Sequence, residues 1–128
     1  MMADSLIADR LNAILAPLNV QIWWGRHALN DLSHYPKGVQ EQILALILRR
    51  AKAGARLKPE GLGEPLHGEL SSFSKIKSKS LSLRIIYRPR EQDGAILMEV
   101  IVIGPRDKDA VYREATRRIL SFEQEMRS

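Results

Sequence analysis

The stretch SSFSKIKSKSLSLRIIYRPREQDGAILMEVIVIG, residues 71–104, decides the fold. It holds three runs rich in strand-forming residues: Phe73–Ser78, Leu81–Arg88 and Ile96–Ile103. The second and third are joined by Arg90-Glu91-Gln92-Asp93-Gly94, which ends in the Asp-Gly pair typical of a tight hairpin. Gly104-Pro105 stops the last run. Lys75, Lys77 and Lys79 alternate, so a strand would turn all three to one face. A hydrophobic core does not accept three ammonium groups, so that face is expected to be open.

Working outward, Val20–Trp24 reads as a further strand. Residues 4–16 place Ile7, Leu11, Ile14 and Leu15 at helical spacing and end at Pro17. His27–His34 and Gly38–Ala53 read as two helices joined by Tyr35-Pro36-Lys37-Gly38, an expected helical hairpin. Residues 55–70, with Pro59, Gly61, Gly63, Pro65 and Gly68, read as a loop. Beyond Pro105, Asp107 is positioned to cap a helix carrying Val111, Ala115, Ile119 and Phe122. The order predicts an α+β fold: an antiparallel, twisted sheet of about four strands, an N-terminal helical hairpin packed on one face, and a C-terminal helix.

At 128 residues, one domain of residues 1–128 is expected. A chain of this size buries about two-thirds of its unfolded surface without a metal or disulfide. There is no cysteine, which removes disulfide, zinc-thiolate, iron–sulfur and cysteine-nucleophile chemistry. His27, His34 and His67 are scattered without ligand spacing, so no metal site and no cofactor is expected. His67 lies in the glycine-rich loop and could approach a site, but reads first as structural or solvent-exposed. No apolar run is long enough to span a bilayer, and the acidic N-terminus is unlike a secretory signal. A cytoplasmic protein with no membrane partner is the expectation.

The net charge is +5, and its distribution is informative. Residues 71–90 hold six cations (Lys75, Lys77, Lys79, Arg84, Arg88 and Arg90) and no acid. A row of cations on an open sheet face suits a phosphate backbone, though solvated edge lysines would look the same. Arg84 sits among apolar residues in LSLRIIY and needs an anion or a specific partner; Glu99 on the neighbouring strand is the structural alternative. Arg106 lies where a strand ends and a helix begins, a position that favours anions. Tyr112 lies six residues further on.

Five segments, Glu64-Pro65-Leu66-His67-Gly68, Lys75-Ile76-Lys77, Leu83-Arg84-Ile85-Ile86-Tyr87, Val102-Ile103-Gly104-Pro105-Arg106 and Val111-Tyr112-Arg113-Glu114-Ala115 with Arg118-Ile119-Leu120, resemble in order and spacing the motifs of RelE-type toxins of the RelE/ParE superfamily. The resemblance spans about residues 20–120. It leaves residues 1–19 as an extra N-terminal helix and 121–128 as a C-terminal tail, and the turn Ser78–Ser82 lacks the family's glycine. It implies a RelE-like fold and a toxin of a type II toxin–antitoxin module, a ribosome-dependent mRNA endonuclease that inhibits translation. The implied partners are a cognate antitoxin in a hetero-oligomer, the ribosome and mRNA. The catalytic roles fall on Lys75, Lys77, Arg84, Arg106 and Tyr112, with Lys79, Arg88 and Arg90 left to bind RNA. The implied reaction needs no metal: the ribose 2′-OH attacks the adjacent phosphate to give a 2′,3′-cyclic phosphate, with Tyr112 or a lysine as base. Two alternatives stay open, a gyrase-inhibiting ParE-type toxin and a non-catalytic remnant that binds antitoxin or nucleic acid.

Overall fold

The structure is a computed structural model, and it describes residues 2–107 and 109–127, with side chains from residue 9 onward. Four helices surround one four-stranded sheet: α1 (Met2–Leu15), β1 (Val20–Trp24), α2 (Arg26–Ser33), α3 (Lys37–Gly54), β2 (Ser74–Ser78), β3 (Leu83–Gln92), β4 (Ala95–Pro105) and α4 (Ala110–Arg127). Short 3-10 turns follow α1 and precede β2. The strand order is β1-β4-β3-β2.

The hairpins β2–β3 and β3–β4 are antiparallel, as expected. The pairing of β1 with β4 is parallel, so the sheet is mixed. The chain leaves β1 through two helices and two further strands before β4 forms, and this long crossover permits a parallel return. At the β3–β4 turn, Asp93 (φ 52°) and Gly94 (φ 81°) both take the left-handed region that a two-residue hairpin turn demands. At the β2–β3 turn the missing glycine is replaced by Ser82, which adopts φ 50° itself.

Two cores flank the sheet. The first packs Leu15, Leu32, Ile43 and Ile47 from α1, α2 and α3 against Ile85, Tyr87 and Met98. The second packs Val111, Ala115, Phe122 and Met126 of α4 against Phe73, Ile86 and Ile101. The extra helix α1 is therefore built into the first core, with Leu11 and Leu15 buried. Its Asn12 also brackets Ile22, accepting from the Ile22 amide at 2.7 Å and donating to its carbonyl at 3.2 Å, which satisfies part of the sheet's free edge. The expected tail is helical through Arg127, and Phe122 and Met126 of that tail are core residues. Helix α4 begins at Ala110, three residues after the expected cap, and the Asp107 carbonyl accepts from the Ala110 amide at 2.9 Å.

A bulge sets which side chains face α4. Tyr87 lies opposite Val100 and Ile86 opposite Val102, so Ile101 is the extra residue. The slip lets Glu99, Ile101, Val102 and Gly104 all turn toward α4. Among the described residues, no helix is long and apolar enough to cross a membrane.

Candidate active site

The second sheet face is not open throughout. Helix α4 covers its β3–β4 part, while the outer row on β2 stays uncovered. Lys75 and Lys77 stand on that row, opposite Ile86 and Arg84. Lys75 is half-buried, Lys77 is exposed, and Lys79 is exposed in the turn after β2.

Tyr112 links the sheet to the helix. Its hydroxyl oxygen accepts from Lys75 Nζ at 3.2 Å and from Arg84 Nη1 at 3.1 Å. The same two cations lie 5.7 Å and 5.6 Å from the centre of its ring. Residues from three elements thus converge through one phenol oxygen. The close approach of α4 depends on Gly104, which pairs with Arg84: a Cβ there would lie 2.7 Å from Val111 Cγ1. From behind the sheet, Arg50 of α3 donates to the Lys75 carbonyl at 3.3 Å and to the Tyr87 hydroxyl at 3.1 Å. Burial raises the Tyr87 hydroxyl above its usual pKa, with Arg50 opposing, so that it stays protonated and donates to the Ala55 carbonyl at 2.8 Å.

Arg84 carries a positive charge without an ion pair among the described residues, and its Nε is buried with no hydrogen-bond partner. An orphaned buried donor costs about 1–3 kcal/mol, which an incoming anion would recover. The structural alternative for Arg84, a pair with Glu99, does not form, because Glu99 lies opposite Arg88 while Arg84 lies opposite Gly104. Fully buried Glu99 instead binds Arg88 and Arg90, each at 2.8 Å, and Arg88 also pairs with Glu123. Arg88 lies over the rings of Phe73 and Phe122 as well. The two arginines expected to hold RNA are therefore spent on tying the sheet to α4 and are not brought to the site.

A cavity of about 520 Å³ opens beside this cluster, lined by Glu64, Pro65, Leu66, His67, Leu70, Lys75, Arg84, Asp109 and Tyr112. Three of the expected catalytic residues line it. Lys77 neighbours it through its pairing with Arg84. Arg106 does not line it: its side chain is exposed, and its amide donates to the Ser82 carbonyl at 2.8 Å, closing the end of the β3–β4 ladder. Glu64 and Asp109 were not expected in the wall; His67, read first as structural or solvent-exposed but able to approach a site, is exposed and lines it. The segment Glu64–Leu70 reaches it because Leu66 and Leu70 are seated in the second core, with the Leu66 amide donating to the Phe73 carbonyl at 3.0 Å. Glu64 is held below its usual carboxylate pKa by hydrogen bonding and attraction to Lys58, so it stays anionic. Among the described residues no three His, Cys, Asp or Glu side chains cluster to hold a metal ion.

No family model and no curated protein matches the chain in sequence. Solved structures do match in fold. A free form of the E. coli toxin RelE, a double arginine-to-alanine mutant, has 24% identity and a TM-score of 0.58, over 77% of this chain and 95% of that one. The same mutant in complex with a peptide of the antitoxin RelBc has 20% identity and a TM-score of 0.55, over 76% and 94% of the two chains. A YoeB/ParE toxin from Agrobacterium tumefaciens has 20% identity and a TM-score of 0.52, over 66% and 96%. The α+β fold read from the sequence is thus the fold of the RelE/ParE toxins.

Proposed function

We propose that this protein is a RelE-type toxin of a type II toxin–antitoxin module and cleaves mRNA on the ribosome. The observation that carries the reading is Arg84: a strand arginine with no carboxylate, stacked on Tyr112 beside Lys75, at a cavity open to solvent. A guanidinium so arranged suits a phosphate, whose oxygens take planar paired donors.

In the proposed reaction the 2′-OH attacks its own 3′-phosphate, and negative charge builds on the phosphorus oxygens. Arg84 and Lys75 neutralise that charge at the cavity, and Lys77 and Arg106, which do not line it, act on the RNA from outside it. Tyr112, whose oxygen accepts from both cations, takes the 2′ proton as its phenolate, or a lysine takes it as the neutral amine. Lys79 would hold flanking phosphates. Arg88 and Arg90 have no part in this version, because Glu99 holds both. Ribosome dependence would follow from the need to present one strained phosphodiester to a shallow site.

A cognate antitoxin is the proposed partner, and its chemistry should be acidic, to neutralise the free cations of β2 and β3. The gyrase-inhibiting reading shares this fold but needs no phosphate site. Inducing the protein in cells, mapping new 5′ ends on translated mRNA and measuring plasmid supercoiling in the same culture separates the readings. Cleavage in coding frames with unchanged supercoiling is the expected result; altered supercoiling without new ends would favour the gyrase reading.

A further inference from the structure

The proposed scission requires two proton transfers, and the cluster on Tyr112 supplies only one credible group. As the O2′–P bond forms, the P–O5′ bond breaks and its electron pair goes to O5′, a poor leaving group unless protonated. Arginine and lysine beside the phosphate are weak acids for that purpose. Arg106 does not line the cavity. Within the lining, one side chain belongs to a type that exchanges protons near neutral pH, His67.

The surroundings of His67 support such a role. It lines the same cavity as Lys75, Arg84 and Tyr112, and it is exposed to solvent. Its backbone is fixed all the same: its carbonyl accepts from the Leu70 amide at 3.2 Å, and Leu66 and Leu70 on either side are seated in the second core. The charged and titratable groups around the cavity are Glu64 from the same segment, Lys75 and Arg84 from the sheet, and Asp109 and Tyr112 from the start of α4. Two carboxylates thus stand with two cations, so the lining is balanced before His67 is protonated and an imidazolium adds a single positive charge. Glu64 stays anionic because Lys58 holds it so.

We infer that His67 is the general acid of this site: its imidazolium protonates O5′ as the P–O5′ bond breaks, while the 2′ proton leaves to Tyr112 or a lysine, and solvent later reprotonates the imidazole. This rests on the ribonuclease reading above, and the test separates the two. The substrates are ribosomes programmed with mRNA carrying either an ordinary phosphodiester at the cleaved step or a 5′-bridging phosphorothiolate there, whose sulfur leaves without protonation. His67→Gln is expected to slow single-turnover cleavage of the ordinary mRNA about 10²-fold, at an unchanged melting temperature. It should lie within tenfold of wild type on the sulfur-bridged mRNA. His67→Arg keeps a positive charge without a readily transferred proton and should be as slow as His67→Gln on ordinary mRNA. Wild-type rates for either variant on ordinary mRNA, or a loss equally large on both substrates, would overturn the acid role. A wild-type protein that cuts neither substrate would instead overturn the ribonuclease reading.

Discussion

Replacing Tyr112 by Phe removes one oxygen from the centre of the site. That oxygen accepts from Lys75 at 3.2 Å and from Arg84 at 3.1 Å. Hydrogen bonds from charged donors are worth about 1.5–3 kcal/mol each where fully desolvated. Here all three residues are only half-buried, so water can replace the lost acceptor and most of that value is recovered. The ring remains, with both cations still within 6 Å of its centre, a contact worth about 0.5–1 kcal/mol at such sites. Folding stability should therefore fall by no more than about 1 kcal/mol. Activity should respond very differently. If the oxygen takes the 2′ proton, its loss removes a contribution of about 10²–10⁴; if it only orients Lys75 and Arg84, the loss is nearer tenfold. Single-turnover cleavage on programmed ribosomes, measured beside thermal melts, reads both quantities. A Tyr112→Phe protein that cleaves at the wild-type rate would refute the reasoning and move the base to Lys75 or Lys77.

Arg84→Ala should cut cleavage by about 10²–10³ with little change in melting temperature, since Arg84 pairs with no carboxylate; a large destabilisation would show that its role is structural. Glu99→Gln should behave in the opposite way, costing about 1–3 kcal/mol in urea unfolding because it removes the buried anion shared by Arg88 and Arg90, with Glu123 still pairing Arg88. Gly104→Ala should cost about 1–3 kcal/mol and lower cleavage as well, because the added methyl drives Val111, and with it the first turns of α4, away from Arg84; unchanged stability and activity would contradict the close packing. Stability should decline as pH rises above about 10, because the unfolded chain releases the Tyr87 proton before the folded protein does. Tyr87→Phe should cost about 1–3 kcal/mol at neutral pH, and its urea midpoints should converge on those of wild type as pH rises toward 11.

Much of the sheet was legible from short-range pattern. Lysine alternation, the apolar run around Ile86 and the Asp93-Gly94 turn are local signals, and β2, β3 and β4 form where they point. The parallel pairing of β1 was not, because the chain's own pattern does not record which edge a strand joins after a long crossover. The covering of the second face by α4 was likewise missed: its apolar stripe was visible, but not the side of the sheet it would take. Register decided the fate of the cations. Arg84 meets Gly104, five residues along β4 from Glu99, and the slip at Ile101 brings Glu99 opposite Arg88 instead of Pro89, so Glu99 is taken up by Arg88 and Arg90 and Arg84 is left unpaired. Tyr112 was marked by the resemblance to the RelE-type motifs, and helical geometry places it beside the Val111 stripe. His67 was legible only as a loop residue able to approach a site, because its place is set by Leu66 and Leu70, and these become anchors only once the second core exists.

The central claim, that the Arg84–Tyr112–Lys75 cluster cuts ribosome-bound RNA, is tested most directly by the chemistry of the ends. Purified protein is added to a defined mRNA, free in one reaction and seated in ribosomes in another, and the new termini are identified. The expected termini are a 2′,3′-cyclic phosphate and a 5′-hydroxyl, formed on the ribosome, by wild type and not by Arg84→Ala. Termini bearing a 5′-phosphate, or cleavage that persists in Arg84→Ala, would contradict it.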